Sequence, residues 1–244
     1  MKAFTYNRYG SPHNLKLNDV PRPQPEDNEV LIKIRATSIN DWDWGLVRGK
    51  PYIMRLINGI IKPRKKIPGV DMGGILENCG KSVRDFQVGQ AVFCDTSECG
   101  YGGFAEYICV PQTVITEIPK NLSFTEAAAF PHASSLAYQS IEELKPILPG
   151  SKVLINGAGG GVGTFAVQML KKYNVHITGV DTAAKSSFML NAGFDKVIDY
   201  RETDFTSLAD RYDYIIDTKT NRSPARYLKS LSENGQYATV GGDL

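Results

Sequence analysis

The chain has 244 residues, of which 42% are hydrophobic, 22% charged and 10% aromatic, proportions that exclude a disordered chain, a collagen and a coiled coil. Twenty-eight basic against 26 acidic residues leave a net charge of +2, too weak a field for a dedicated nucleic-acid binder. No apolar run approaches a membrane span and the N-terminus lacks the apolar core of a secretory signal, so a cytoplasmic protein with four reduced cysteines (Cys79, Cys94, Cys99, Cys109) is expected.

Residues 1–122 read as β-rich. Glu29 to Ile39 alternates Val30, Ile32 and Ile34 with Leu31, Lys33 and Arg35, the pattern of a strand buried on one face. The apolar stretch Tyr52 to Ile61 is long enough for a short helix, either over a substrate cleft or packed on the core. Lys62, Arg64, Lys65 and Lys66 cluster around Pro63 and before Pro68 and read as a solvated loop. GGILENCG, QAVFCD and FAEYICV are short strands between Gly, Pro, Asn and Asp turns. Short strands at irregular spacing fit a compact, partly closed antiparallel barrel.

The rhythm changes at residue 123. Ser-Phe-Thr-Glu places Glu126 three residues after Ser123, a capping box, and predicts a helix over Glu126 to Phe130. A second helix is predicted over 135–144, ended by Pro146. Strands are then predicted at 152–156, 176–181, 196–200, 213–217 and 236–241, with helices at 162–172, 185–191 and 224–232. Apolar runs that alternate with helices predict buried parallel strands in βαβ units. The predicted division is a first domain over 1–122 and a second over 123–244.

Lys152-Val-Leu-Ile-Asn runs into a glycine-rich turn, and an amphipathic helix follows from Thr164. Ala158, Gly159, Gly160, Gly161, Val162 and Gly163 read A-x-G-x-x-G. Gly160 would let the backbone approach a pyrophosphate, and Gly163 would let the helix pack closely on the strand. The helix N-terminus would offer N–H groups and a positive dipole end to phosphates. The strand-turn-helix context favours dinucleotide binding over a structural turn. Asp181 closes the next strand 18 residues after Gly163. It is placed to accept the ribose hydroxyls of NAD, or else is a helix cap or turn aspartate. Thr182 and Lys185 lie just beyond and would favour a 2′-phosphate, against the carboxylate.

Several stretches together resemble the medium-chain dehydrogenase/reductases, in particular their zinc-free quinone oxidoreductase-like branch. They are ATSINDWDW, IPGVDMGGILENCGKSVRDFQVGQAVF, GYGGFAEYICVP, LSFTEAAAFPHASSLAYQSI, PGSKVLINGAGGGVGTFAVQ and GFDKVIDY, in the family's order over nearly the whole chain. The resemblance implies an α/β fold in which a GroES-like β-barrel precedes a Rossmann doubly wound parallel sheet. It implies a nicotinamide cleft between the two and hydride transfer to a quinone, enone or other activated carbonyl. It adds Tyr200 near the adenine and Val240 and Gly241 near the nicotinamide, with Gly242 beside them in cofactor binding.

The zinc-dependent branch has metal ligands at three points that here hold Asn40, Val70 and His132. One ligand-type residue does not hold catalytic zinc, so no metal is expected. By resemblance Asn40 faces the nicotinamide or the substrate carbonyl, although a turn asparagine would look the same. Tyr52 is a candidate hydrogen-bond donor to a substrate oxygen, or else packs on the core or a lid. His132 is a candidate proton donor, or else a satisfied structural histidine. The chain ends at Leu244, where family members continue, which implies a C-terminally short Rossmann domain and leaves the usual homodimer in doubt. The reading is an NAD(P)H-dependent, zinc-independent reductase of a small-molecule substrate, with NADH slightly favoured by Asp181 and NADPH admitted. Its rival is a catalytically weak or inactive nucleotide-binding protein on the same scaffold.

Overall fold

The computed structural model describes Met1–Val240. It divides into two compact units, Met1–His132 and Ala133–Leu244. The division falls after His132 rather than at 122/123, and its physical reason is a helix described below.

In the first unit β1 (Lys2–Thr5) and β2 (Lys16–Asp19) form an antiparallel ribbon. β3 (Glu29–Thr37) leads through Asn40 into helices α1 (Asp41–Arg48) and α2 (Ile53–Asn58). β4 (Asp71–Cys79), β5 (Ala91–Asp95), β6 (Tyr107–Pro111) and β7 (Thr116–Glu117) complete an antiparallel sheet of order β6-β3-β4-β5-β7. Two register shifts between β3 and β4 bend the central pair, as bulges do in closing a sheet. Val30, Ile32, Met72, Leu76, Val92 and Val110 form its core. Leu31, on the opposite face of β3, is buried as well, so this strand is not one-sided at that end.

Helix α3 (Phe124–Ala128) starts at the capping box: Ser123 Oγ accepts from the Glu126 N–H, and Glu126 accepts from the Ser123 N–H at 2.8 Å. It packs on β4 where Gly73 has no side chain; a Cβ there would stand 3.1 Å from the Phe124 carbonyl oxygen. That contact draws α3 into the first unit and moves the boundary past residue 123.

Helix α4 (Pro131–Glu143) begins four residues before the predicted start, at a proline that suits a first helical position. β8 (Lys152–Asn156), α5 (Gly161–Leu170), β9 (His176–Asp181), α6 (Ser186–Ala192), β10 (Lys196–Asp199), β11 (Tyr212–Asp217), α7 (Pro224–Ser230) and β12 (Leu231–Thr239) follow. The last strand starts at Leu231, so α7 stops at Ser230 rather than 232. The five strands are parallel, in the order β10-β9-β8-β11-β12. Val153 and Ile155 belong to one core cluster and Leu154 to another, which explains the unbroken apolar run of a strand buried on both faces. Strand order reverses beside β8, the place where open α/β sheets bind ligands at the carboxyl ends of the strands. Among the described residues no helix is long and apolar enough to cross a membrane.

Candidate active site

β8 feeds the glycine turn. Gly160 caps α5 with no side-chain cap hydrogen bond, so among the described residues the N–H groups of the first turn have no side-chain acceptor. The nearest atom to a Cβ built on Gly160 is the Gly157 carbonyl oxygen at 3.3 Å, so the space in front of this residue is open. Gly163 is different: a Cβ there would stand 2.6 Å from Ala158 Cα, inside the strand-helix contact. Ala158 lies in the core and Val162 packs against it. An unsatisfied helix N-terminus behind an open glycine fits a pyrophosphate.

Asp181 ends β9 under this turn. Its Oδ2 accepts from the Gly159 N–H at 2.9 Å and its Oδ1 from the Thr182 N–H at 2.8 Å. The Lys185 ammonium pairs with it at 3.1 Å. The carboxylate is thus nearly covered, with 7% of its side chain exposed against 45% for Lys185. A cleft of about 310 Å³ opens here, lined by Asp181, Thr182, Lys185 and Tyr200 together with Asn156, Gly157, Lys219 and Asn221. Tyr200 is held by its N–H, which donates to the Asp181 carbonyl at 3.1 Å. Val240 packs against the core beside this sheet and does not line the cleft, while Gly241 and Gly242 lie outside the described residues.

The sequence reading missed a polar network that reaches this cleft through Asn156 and Lys219. Asp217, fully buried at the end of β11, accepts from Asn156 Nδ2 at 2.9 Å and from the Lys219 and Thr220 N–H groups at 3.0 Å. Its other oxygen accepts from the Tyr237 hydroxyl at 2.9 Å, and Asn156 Nδ2 also donates to the Tyr227 hydroxyl at 3.2 Å. Burial, reinforced by the Asp217 charge, holds both phenols above their ordinary value, Tyr237 at about 12. The available signal was one polar residue ending each apolar strand, Asn156 after Val153–Ile155 and Asp217 after Tyr214–Ile216.

A second cluster lies in the first unit. His132 Nδ1 meets Asp95 Oδ2 at 2.7 Å, and the His132 N–H donates to Asp71 Oδ1 at 3.0 Å. Ser38 Oγ donates to the other Asp71 oxygen at 3.1 Å, and Asn40 Nδ2 approaches it at 3.4 Å. Burial raises Asp71 to about 6, helped by the nearby Asp95 charge. Burial alone would raise Asp95, but its hydrogen bonds with His132 and Ser97 outweigh that and hold it below the usual range. Burial alone would lower His132; the Asp95 hydrogen bond and the charges of Asp95, Asp71 and Asp43 outweigh it and raise the imidazole. Trp42 packs against the ring at 6.0 Å, and its indole N–H is buried with no acceptor among the described residues.

Asn40 is the N-cap of α1: its Oδ1 accepts from the Trp42 N–H at 3.1 Å and its backbone N–H donates to Asp43 at 3.1 Å. Only its Nδ2 turns toward the His132 cluster. Asp43, raised to about 6 by burial, holds the Gly69 and Val70 N–H groups at 3.0 and 3.1 Å and is structural. Val70 is wholly buried. Among the described residues no group of three His, Cys, Asp or Glu could hold a metal. Tyr52 does not join the cluster. It is 67% exposed before α2, with Arg55 over its ring at 5.2 Å.

The family model for the alcohol dehydrogenase GroES-like domain matches residues 26–120, and that for zinc-binding dehydrogenase matches residues 161–244. The chain is 33% identical to a chloroplast envelope quinone oxidoreductase homolog of Arabidopsis thaliana, over 98% of this chain and 74% of that one. It is 32% identical to a 2-methylene-furan-3-one reductase of Solanum lycopersicum, over 99% of this chain and 62% of that one. The solved structure of the quinone oxidoreductase from Coxiella burnetii superposes with a TM-score of 0.89 at 27% identity, over 97% of this chain and 74% of that one. A GroES-like unit, a parallel Rossmann sheet with an open glycine turn, and relatives of this kind along nearly the whole length lead to one conclusion: the chain belongs to the medium-chain dehydrogenase/reductase family, in its quinone oxidoreductase-like branch.

Proposed function

We propose that the chain reduces a quinone, an enone or another activated carbonyl compound with NAD(P)H, without zinc, and that His132 supplies the proton. Family membership makes it an NAD(P)H-dependent oxidoreductase; the acceptor class follows the names of its Arabidopsis and tomato relatives. The observation that carries the proton donor is the 2.7 Å contact of His132 with Asp95. An Nδ1–H donating to that carboxylate leaves Nε2 as the proton-delivering atom, and the Asp95 hydrogen bond with the surrounding carboxylate charges raises the imidazole and so favours its charged form. The Asn40 amide is fixed beside Asp71 by its capping role.

When bound, the nicotinamide cofactor supplies the hydride. The residues that would hold it are the α5 N-terminus behind Gly160 for the pyrophosphate, and Asp181, Thr182, Lys185 and Tyr200 for the adenosine end. Because Lys185 neutralises Asp181, we infer that NADH and NADPH both bind, NADH by a small margin. Asn40 and Val70 stand at the positions where the zinc branch has ligands, which supports a zinc-independent reaction. Four free cysteines fit a reducing compartment such as the cytoplasm.

The test is steady-state oxidation of NADH and NADPH with a simple quinone and a simple enone. Turnover with at least one acceptor is expected, falling about 100-fold in His132→Asn. Cofactor binding by titration without turnover on either acceptor would instead establish the inactive nucleotide binder.

A further inference from the structure

A cavity of about 450 Å³ in the first unit belongs to neither cluster described above. Arg64, Lys65 and Lys66 line it, with Tyr101, Ile67 and Ile108 among its aromatic and apolar walls, and no acidic residue lines it. None of the three cations has an ion-pair partner among the described residues. A solvated loop would need no support, yet this one is fixed from beneath. Asn58, 2% exposed, accepts the Lys65 N–H at 2.9 Å on its side chain and the Arg64 N–H at 2.6 Å on its carbonyl. Its Nδ2 donates to the buried Tyr6 hydroxyl at 2.9 Å, and the Tyr6 N–H donates to the Lys66 carbonyl at 3.0 Å.

Another part of the lining carries an independent signal. Gly100, Tyr101 and Gly102 have successive φ values of +105°, +67° and +121°. A tyrosine in the left-handed region is a strained choice that persists only where the surroundings impose it, and such residues gather at ligand clamps. Here the Thr96 carbonyl takes the N–H groups of Cys99, Gly100 and Tyr101, and the Gly69 carbonyl takes those of Gly102 and Gly103. The Lys65 ammonium reaches to this segment: a Cβ on Gly100 would stand 2.8 Å from its Nζ.

We propose that this cavity is a second, non-catalytic site for a small molecule carrying a phosphate on an aromatic or apolar body. Three uncompensated cations, one a guanidinium fork, match a phosphate dianion better than a single carboxylate. The volume suits a ligand of modest size, with Tyr101, Ile67 and Ile108 against its apolar part.

Calorimetric titration of the NADPH-saturated enzyme with phenyl phosphate tests this, since the cofactor occupies the other phosphate-binding cleft. One site per chain is expected. Lys65→Gln with Lys66→Gln should weaken it about tenfold at unchanged melting temperature and unchanged quinone reduction. Tyr101→Ala should weaken it as well, while phenol, benzoate and inorganic phosphate each bind at least about tenfold less tightly. The proposal is overturned if phenyl phosphate does not bind at millimolar concentration, or if the double glutamine variant loses less than about threefold. It is equally overturned if inorganic phosphate binds as tightly as phenyl phosphate, which would mark an exposed counter-ion patch. Capture by phosphatidylserine vesicles with no binding of phenyl phosphate would overturn it too, in favour of a membrane-facing surface.

Discussion

Burial is the largest single influence on His132 and lowers it, but the Asp95 hydrogen bond and the charges of Asp95, Asp71 and Asp43 together outweigh it and raise the imidazole. The sign of the resulting pH dependence follows. A histidine raised in the folded state contributes stability that is fully present below its ordinary value and is lost as pH rises through the raised one. Asp95, held low, contributes stability that is lost only as pH falls through its own depressed value. As proton donor His132 must be charged, so kcat/KM should fall as pH rises through its raised pKa. Asp95→Asn removes the largest raising influence and leaves burial, so the falling limb should move to lower pH. A pH profile of kcat/KM checks this, and an unmoved limb would remove Asp95 from the donor. Asp181 permits a second test at the same scale. Its oxygens hold the Gly159 and Thr182 N–H groups and the Lys185 ammonium. Asp181→Ser removes the negative charge and releases Lys185, so the ratio of dissociation constants should shift toward NADPH by about tenfold. A ratio unchanged in the variant would mean that this carboxylate does not face the ribose.

Two glycines of one turn separate binding from folding at the level of the element. Gly160 has φ −94°, a conformation open to any residue, and a Cβ there would meet only the Gly157 carbonyl oxygen, at 3.3 Å, which must give by a few tenths of an ångström. Gly160→Val should therefore keep the fold and abolish cofactor binding, because the added methyls fill the approach to the α5 N-terminus. Gly163 lies where α5 rests on the Ala158 backbone. Gly163→Ala should destabilise the protein by about 3 kcal/mol, because backbone must move to admit the methyl. Cofactor fluorescence titration and chemical denaturation of both variants check the pair. Tight binding by a folded Gly160→Val protein would reduce the turn to a structural role.

Cofactor binding should also register across the whole molecule as heat resistance. Ligand at 100 times its dissociation constant adds about 2.7 kcal/mol, which for a chain of this size raises Tm by roughly 5–10 °C. NADH and NADPH should both produce the shift, and Gly160→Val should lose it. Zinc is decided at the same scale. Elemental analysis should find far less than one zinc per chain, and a strong chelator should leave both Tm and quinone reduction unchanged. One zinc per chain, removable with loss of activity, would overturn the zinc-independent reading that rests on Asn40, Val70 and His132.

By itself the sequence determined the features set by local rules. The Ser123 capping box, the apolar runs of β8, β9 and β11, and the A-x-G-x-x-G turn between strand and helix each follow from neighbours a few residues apart. Asp181, Thr182 and Lys185 line the cleft because the turn fixes what the next strand delivers, while Tyr200 was suggested by the family resemblance and not by the turn. Tertiary structure alone decided the partners. Asp95 and Asp71 meet His132 across 37 and 61 residues of chain, and Asp217 meets Asn156 across 61, separations that no local pattern encodes. The fold also set Tyr52 apart from His132 and drew α3 onto the first sheet at Gly73. Spacing along the chain can place a donor at the end of a strand or helix. Which acceptor faces it, and hence its pKa and its chemistry, depends on how distant elements pack.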